Sequence, residues 1–374
     1  MRKLNFGISS TRLVAFPILF FATLVSFNRA IEIFQTGGHN WGIGEWLINY
    51  NGGFVRRGLF GQLLFSIFDN GQTSLAALLV FQYFLVIYVS SFIFRFFLQD
   101  RFSWWGVALA LNPAGLLALA WDSNLLVRKE WLGLAILVWL AKKDMSIHSK
   151  SRFGILVLLF SASLLSSEVN FSFIVPICYL LWNAGNITRK VFRIQILMLV
   201  SCSVFILVLV TRFHGNSSVS KSVCDLVSEN GLSVKENCNG AISALSLSLN
   251  DALSHFKSDY PGYLLYFVLL IVACIPIFTS SWLRANLIWA ILIFFGVSPL
   301  FFVAWDYGRW IFIFIVSITI CMATSNETRP SQSWSLLQAL VFTCFWGVSH
   351  GGNPITNGMI SLVGTFARMV IKLF

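Results

Sequence analysis

Charge is what this sequence has least of. Only 11% of its 374 residues are charged, 26 of them basic and 15 acidic. A hydrated domain surface usually carries about 25% charged residues, so the shortage argues against an ordinary soluble body. Histidine is also sparse, with 5 dispersed residues. No CxxC or HExxH spacing occurs, so no metal centre is expected. A glycine-rich phosphate loop of the ATPase kind is missing, and nothing marks a haem, flavin or nicotinamide site. The expected cofactor set is therefore none. Without a long basic run or a recognisable module, the net charge of +11 does not indicate a nucleic-acid partner. No internal repeat is evident.

Cysteine is present but does not form a framework. Cys178, Cys202, Cys274, Cys321 and Cys344 lie in apolar runs. Cys224 and Cys238 share the one long polar stretch, where a disulfide closing it, if it lies outside the cytoplasm, and two free thiols are equally compatible with the sequence.

The sequence is rich in apolar and aromatic side chains. Hydrophobic residues make up 57%, with 37 Phe and 14 Trp, and the mean hydropathy is +0.78. Taking about 20 apolar residues per crossing, the segments fall near 11–28, 72–98, 104–121, 127–141, 153–166, 169–182, 194–211, 261–279, 285–303, 308–323, 334–350 and 355–371. The fold class predicted is an all-α polytopic transmembrane protein with about 12 membrane helices, forming one integral domain over 1–374. The first segment reads as a retained helix, since no small-residue cleavage site follows it. Residues 58–68 suggest a short interfacial helix. Most basic residues fall on one side when both termini are cytoplasmic. The outer side then holds a first periplasmic loop, 29–71, and a long periplasmic loop, 212–260, which reads as amphipathic helices or a connector.

Five polar constellations fall on that outer side. Arg56 and Arg57 follow Asn51-Gly52-Gly53 and precede Gly58, where the backbone can turn tightly near a ligand. Two arginines there suit phosphate oxygens through planar forks of donors, or lipid headgroups and acidic neighbours. Arg128 and Lys129, beside Glu130, either reach the interface or turn inward. Glu168 stands alone between apolar runs as a candidate base, counter-ion or cap. Asp306 and Arg309 share a face if their turn is helical, with Trp305 and Trp310 as anchors or a platform for a ring. His350 precedes Gly351-Gly352-Asn353-Pro354 and is a candidate general base or a structural residue.

These pieces resemble bacterial O-antigen or surface-polysaccharide polymerases. The matching residues are Asn51 to Gly58, Arg128-Lys129-Glu130, Glu168 and Asp306-Tyr307-Gly308-Arg309-Trp310. The resemblance implies an enzyme of the bacterial inner membrane, a glycosyltransferase whose active site faces the periplasm. It would move oligosaccharide units carried on undecaprenyl diphosphate onto another lipid-linked unit. Catalysis would then fall to Glu168, Asp306 and His350. Substrate binding would fall to Arg56, Arg57, Arg128, Lys129, Arg309, Trp305 and Trp310, with no metal. Membrane lipids and a chain-length regulator are the further partners implied. A single-sugar transferase of the GT-C architecture, using a polyprenyl phosphate donor, is the alternative; Glu32 and Glu45 are its available acids. A flippase for lipid-linked sugars is the third reading.

Overall fold

The computed structural model describes residues 10–99, 102–142, 150–183, 189–247, 260–303, 306–349 and 361–365. Everything in it is helix and turn. Among the described residues the one β feature is an isolated bridge between Ser280 and Pro330.

Among the described residues, four helices are long and apolar enough to cross a membrane: Ser10–Thr36, Gly71–Phe97, Lys190–Arg212 and Tyr307–Thr324. This is consistent with association with a membrane. Glu130–Ala141, Ser151–Ser166, Tyr263–Ala273 and Leu287–Phe302 are apolar but shorter. The expected polytopic architecture of about 12 spans is corrected accordingly, and no GT-C-like layout with one long periplasmic loop emerges. The proposed cytoplasmic position of both termini falls on residues outside those described.

The cause of the overcount is physical. An apolar run does not distinguish a helix buried in protein from one facing hydrocarbon. Several runs also break. The run near 104–121 splits into Ser103–Ala110 and a 3-10 turn, Leu116–Ala120. There Asn112 turns its amide to the Ala273 carbonyl at 2.9 Å and accepts from the Ala114 N–H at 3.0 Å. The run near 261–279 divides at Cys274, before Pro276. The run near 169–182 begins as a 3-10 turn, Glu168–Phe173, and becomes helical at Ile174–Asn183.

The long helices differ in what they bury. Ser10–Thr36 turns Ala15, Ala22, Ser26 and Ala30 inward and leaves Phe16, Phe20 and Phe27 outward, Phe20 at 71% exposure. Small residues inside and large apolar residues outside is how helices pack in lipid, where only close approach rewards association. Gly71–Phe97 begins at Asn70, whose side chain accepts from the Gln72 N–H at 2.8 Å. It leaves Val80 and Phe84 similarly exposed. Tyr307–Thr324 is the opposite case. Its apolar window is 94% buried, and it packs against Glu130–Ala141, Ile174–Asn183 and Leu287–Val297. This is the central pillar, and its first turn carries Arg309.

Beyond Arg212 the chain folds into a small unit of Ser217–Glu229, Val234–Asn237 and the turns through Ser246. A Cys224–Cys238 disulfide closes it. This unit clamps the segment between the first two long helices. Asn237 donates to the Gly37 carbonyl at 2.9 Å, the Ala241 N–H to Asn40 at 3.0 Å and Asn51 to the Ser222 carbonyl at 3.0 Å. The Arg56 N–H donates to Phe213 at 2.8 Å. The approach is tight enough that a Cβ on Gly44 would lie 2.4 Å from the Asn237 carbonyl oxygen. Residue 44 must therefore lack a side chain, and its neighbour is Glu45.

Candidate functional site

Glu45 is the hub. It lies on the short helix Gly42–Leu47, wholly buried. That helix is tied to the next cluster by Trp46, whose indole N–H donates to the Val127 carbonyl at 2.8 Å. The Glu45 carboxylate meets Arg57 at 3.4 Å, Arg128 at 3.3 Å and Arg309 at 3.8 Å. Three guanidiniums from three distant stretches of chain thus share one carboxylate.

The other carboxylates complete the set. Glu130 opens the Glu130–Ala141 helix and pairs with Arg309. Asp306 precedes the central helix and accepts from Arg309 at 3.0 Å and Arg128 at 3.5 Å. Both acids stand at helix N-termini, where the backbone dipole favours negative charge. Glu168 receives Arg57 side-on, through Nε at 2.8 Å and through Nη2, with Arg56 Nη1 at 3.5 Å. Lys129, fully buried, donates from Nζ to the Arg57 carbonyl at 2.9 Å and lies 5.3 Å from the centre of the Trp46 ring.

The structure therefore brings Arg56, Arg57, Arg128, Lys129, Glu168, Asp306 and Arg309 into one network. Five cations face four carboxylates, leaving one positive charge in excess. Trp310 is buried against Arg309, with the guanidinium carbon 5.0 Å from its ring centre, so it is not an exposed platform. Trp305 and His350 lie outside the described residues. At Ser349, the residue before His350, the chain touches the site's edge: a Cβ on Gly308 would meet the Ser349 carbonyl oxygen at 1.9 Å.

Burial grades the network from closed to open. Glu45, Glu130, Arg128 and Arg309 are shut away, whereas Arg56, Arg57, Glu168 and Asp306 keep 20–29% of their side chains accessible. Burial alone would push the Glu45 carboxyl up. Arg57, followed by Arg309, Arg128 and Lys129, overcomes this and holds it at about 2. Burial likewise opposes ionisation of Glu168, but the charge and hydrogen bonds of Arg57, with Arg56, keep it well below the usual carboxylate range. A carboxylate so held is a strong acceptor of hydrogen bonds and a weak proton base. Burial pulls Lys129 down to about 7, Glu45 opposes the fall and Arg57 adds to it.

Several donors in the network are unused. The Nε atoms of Arg56, Arg128 and Arg309, all buried, have no hydrogen-bond partner, nor does Glu130 Oε2. Buried polar atoms are nearly always paired in folded proteins.

An apolar cavity of about 530 Å³ is lined by Tyr263, Tyr266, Phe267, Leu270, Phe294 and Phe301 among others. Its link to the network is Tyr307, next to Asp306. The Tyr307 ring lies 4.7 Å from Tyr263, 5.1 Å from Tyr266 and 6.4 Å from Phe301, centre to centre.

The sequence singled out neither Glu45 as a hub nor Glu130 as the Arg309 partner. The signal for Glu45 was available: it is the one acid in the stretch 33–68, which also contains both arginines.

No protein-family model matches the chain, and neither a curated protein nor a solved structure shows significant similarity to it. The resemblance to surface-polysaccharide polymerases is corrected on this ground and on the number of spans, which is four among the described residues. The transferase and flippase readings built on about a dozen crossings lose their structural basis with it.

Proposed function

We propose that this chain binds a phosphate-bearing amphiphile, with the anionic head against Arg56 and Arg57 and the hydrocarbon tail in the cavity beside Tyr307. The observation that carries this reading is the junction itself. A cation-rich cluster with one excess positive charge ends at Asp306, whose neighbour Tyr307 packs against the lining of an apolar cavity, a pairing that matches a molecule charged at one end and oily at the other. At about 530 Å³ the cavity lies in the usual range for small-molecule sites. Arginine forks suit phosphate oxygens. The unpartnered Arg56 Nε adds a donor, and the N-terminus of the Tyr307–Thr324 helix contributes partial positive charge beside Asp306.

Glu168 and Asp306 have a role in this scheme as exchangeable counter-ions. An arriving phosphate takes the place of a carboxylate at the exposed arginines, so the cations are never left bare. The reading is one of binding, and no transfer step is assigned to either acid. Lipid-linked diphosphates and acyl phosphates both belong to the ligand class.

The Cys224–Cys238 bond favours an oxidising compartment for the clamp and the adjoining opening. We place the opening on the outer, periplasmic face of a bacterial inner membrane, on the ground of that disulfide.

Equilibrium binding tests the proposal. The full chain in a neutral detergent should take up hexadecyl phosphate at least tenfold more tightly than hexadecanol. The substitutions Arg56→Ala and Arg57→Ala should each remove most of that preference while the protein stays folded. Equal affinity for the phosphate and the alcohol would leave the charged network as a structural staple and overturn the reading.

A further inference from the structure

Arg57 has φ +67°, one of two non-glycine residues in the left-handed region among those described. This conformation costs a residue with a Cβ on the order of 1 kcal/mol or more, and it persists where surrounding structure imposes it. The element that imposes it here is visible. The Arg57 carbonyl accepts the Lys129 ammonium at 2.9 Å, while its side chain is held by Glu168 and Glu45.

Lys129 is unusual in its own right. It is completely buried, yet no carboxylate lies within ion-pairing distance of it in the network; its hydrogen bond goes to a peptide oxygen and its ammonium faces the Trp46 ring. A buried ammonium normally needs a paired counter-charge. Glu45 on the short helix, Glu168 on the 3-10 turn and Glu130 on its own helix act on it from a distance, and Arg57 opposes them. It supplies the fifth cation that gives the network its excess charge.

We propose that Lys129 is the positioning residue of the anion site, holding Arg57 in the left-handed turn that turns Arg56 and Arg57 toward one opening and supplying the positive charge that a bound anion neutralises. This rests on the reading of the site as an anion-binding site. The physical consequence is a pH-dependent affinity. The network carries its excess charge while Lys129 is protonated and loses it as the pH rises past neutrality. A bound anion favours the protonated amine, so binding above neutrality draws in a proton.

The test uses the full chain in neutral detergent with hexadecyl methyl phosphate, a diester whose charge does not change near neutrality. Affinity is measured from pH 6 to pH 8.5, and proton uptake from the binding heat in buffers of different ionisation enthalpy. The native protein should lose on the order of tenfold in affinity across that range and take up protons above pH 7. Lys129→Met should bind about tenfold more weakly at pH 6, with a flat profile and no proton uptake. Lys129→Arg should restore binding and carry it unchanged to pH 8.5. Thermal unfolding of each variant separates lost binding from lost fold, because the flat profile and absent uptake are read on protein that unfolds cooperatively. Native protein that binds the diester while Lys129→Met shares its affinity, slope and proton uptake would overturn the role of Lys129 and leave the anion site standing. Native protein that does not bind the diester at all would overturn both.

Discussion

Arg57 and Glu168 meet side-on, Nε to Oε2 at 2.8 Å and Nη2 to Oε1, while the same guanidinium reaches Glu45 at 3.4 Å. One side chain thus joins the open edge of the charged network to its sealed centre. Disturbing the centre should unfold the protein, and disturbing the edge should alter what it binds.

At the centre, Glu45→Gln removes the carboxylate shared by Arg57, Arg128 and Arg309. Breaking a buried charge set by removing one partner costs about 3–5 kcal/mol. Denaturant unfolding in detergent should show a loss of that order. A loss under about 1 kcal/mol would mean that the guanidiniums find other partners.

Acid should act through the same carboxylate. Glu45 titrates at about 2 in the folded protein against 4.5 as its ordinary value, so the unfolded chain takes up the proton first. The stabilisation is whole above about pH 4.5 and drains away as the pH falls toward 2. Glu168, also held low, contributes in the same direction. Thermal midpoints measured down the acid limb should fall steeply for the native protein and less steeply for Glu45→Gln.

The clamp offers a separate test. Reducing Cys224–Cys238 reopens a short loop, and such a bridge contributes about 3 kcal/mol in the chain-entropy picture. Stability should fall by that order. Limited proteolysis should then cut within 37–58, because the hydrogen bonds of Asn237, Ala241 and the Ser222 carbonyl to that segment loosen together. An unchanged cleavage pattern would show that the unit does not hold the Glu45 segment in place.

Packing at the base of the central helix is equally exposed to test. In Gly308→Ala the new Cβ would lie 1.9 Å from the Ser349 carbonyl oxygen, so the first turn must shift and carry Arg309 with it. Overpacking of this kind costs about 1–3 kcal/mol. Unfolding measurements should show that loss, accompanied by weaker anion binding. A variant as stable as the native protein would place Ser349 farther from the helix.

Much of the site was legible in the sequence and much of the fold was not, for related reasons. Charge is rare here, so each charged residue in an apolar setting stands out, and Arg56, Arg57, Arg128, Lys129, Glu168, Asp306 and Arg309 all lie in the network. Glu45 stands near Arg56 and Arg57 in sequence, but its contacts with Arg128 and Arg309, which make it the hub, come only from the fold. The spans were overcounted because hydropathy reports apolar content and not its surroundings. The helix Tyr307–Thr324 is as apolar as a crossing, but protein surrounds it on nearly every side. Breaks such as Asn112 become readable only once the distant Ala273 carbonyl it bonds is known.

The most direct measurement of the central claim is the affinity of Glu168→Gln for hexadecyl phosphate, compared with native protein and Arg57→Met under identical conditions. If Glu168 is the counter-ion that an arriving phosphate displaces, its neutralisation should tighten binding several-fold, and Arg57→Met should weaken it by tenfold or more. Affinities that do not differ among the three proteins would contradict the account.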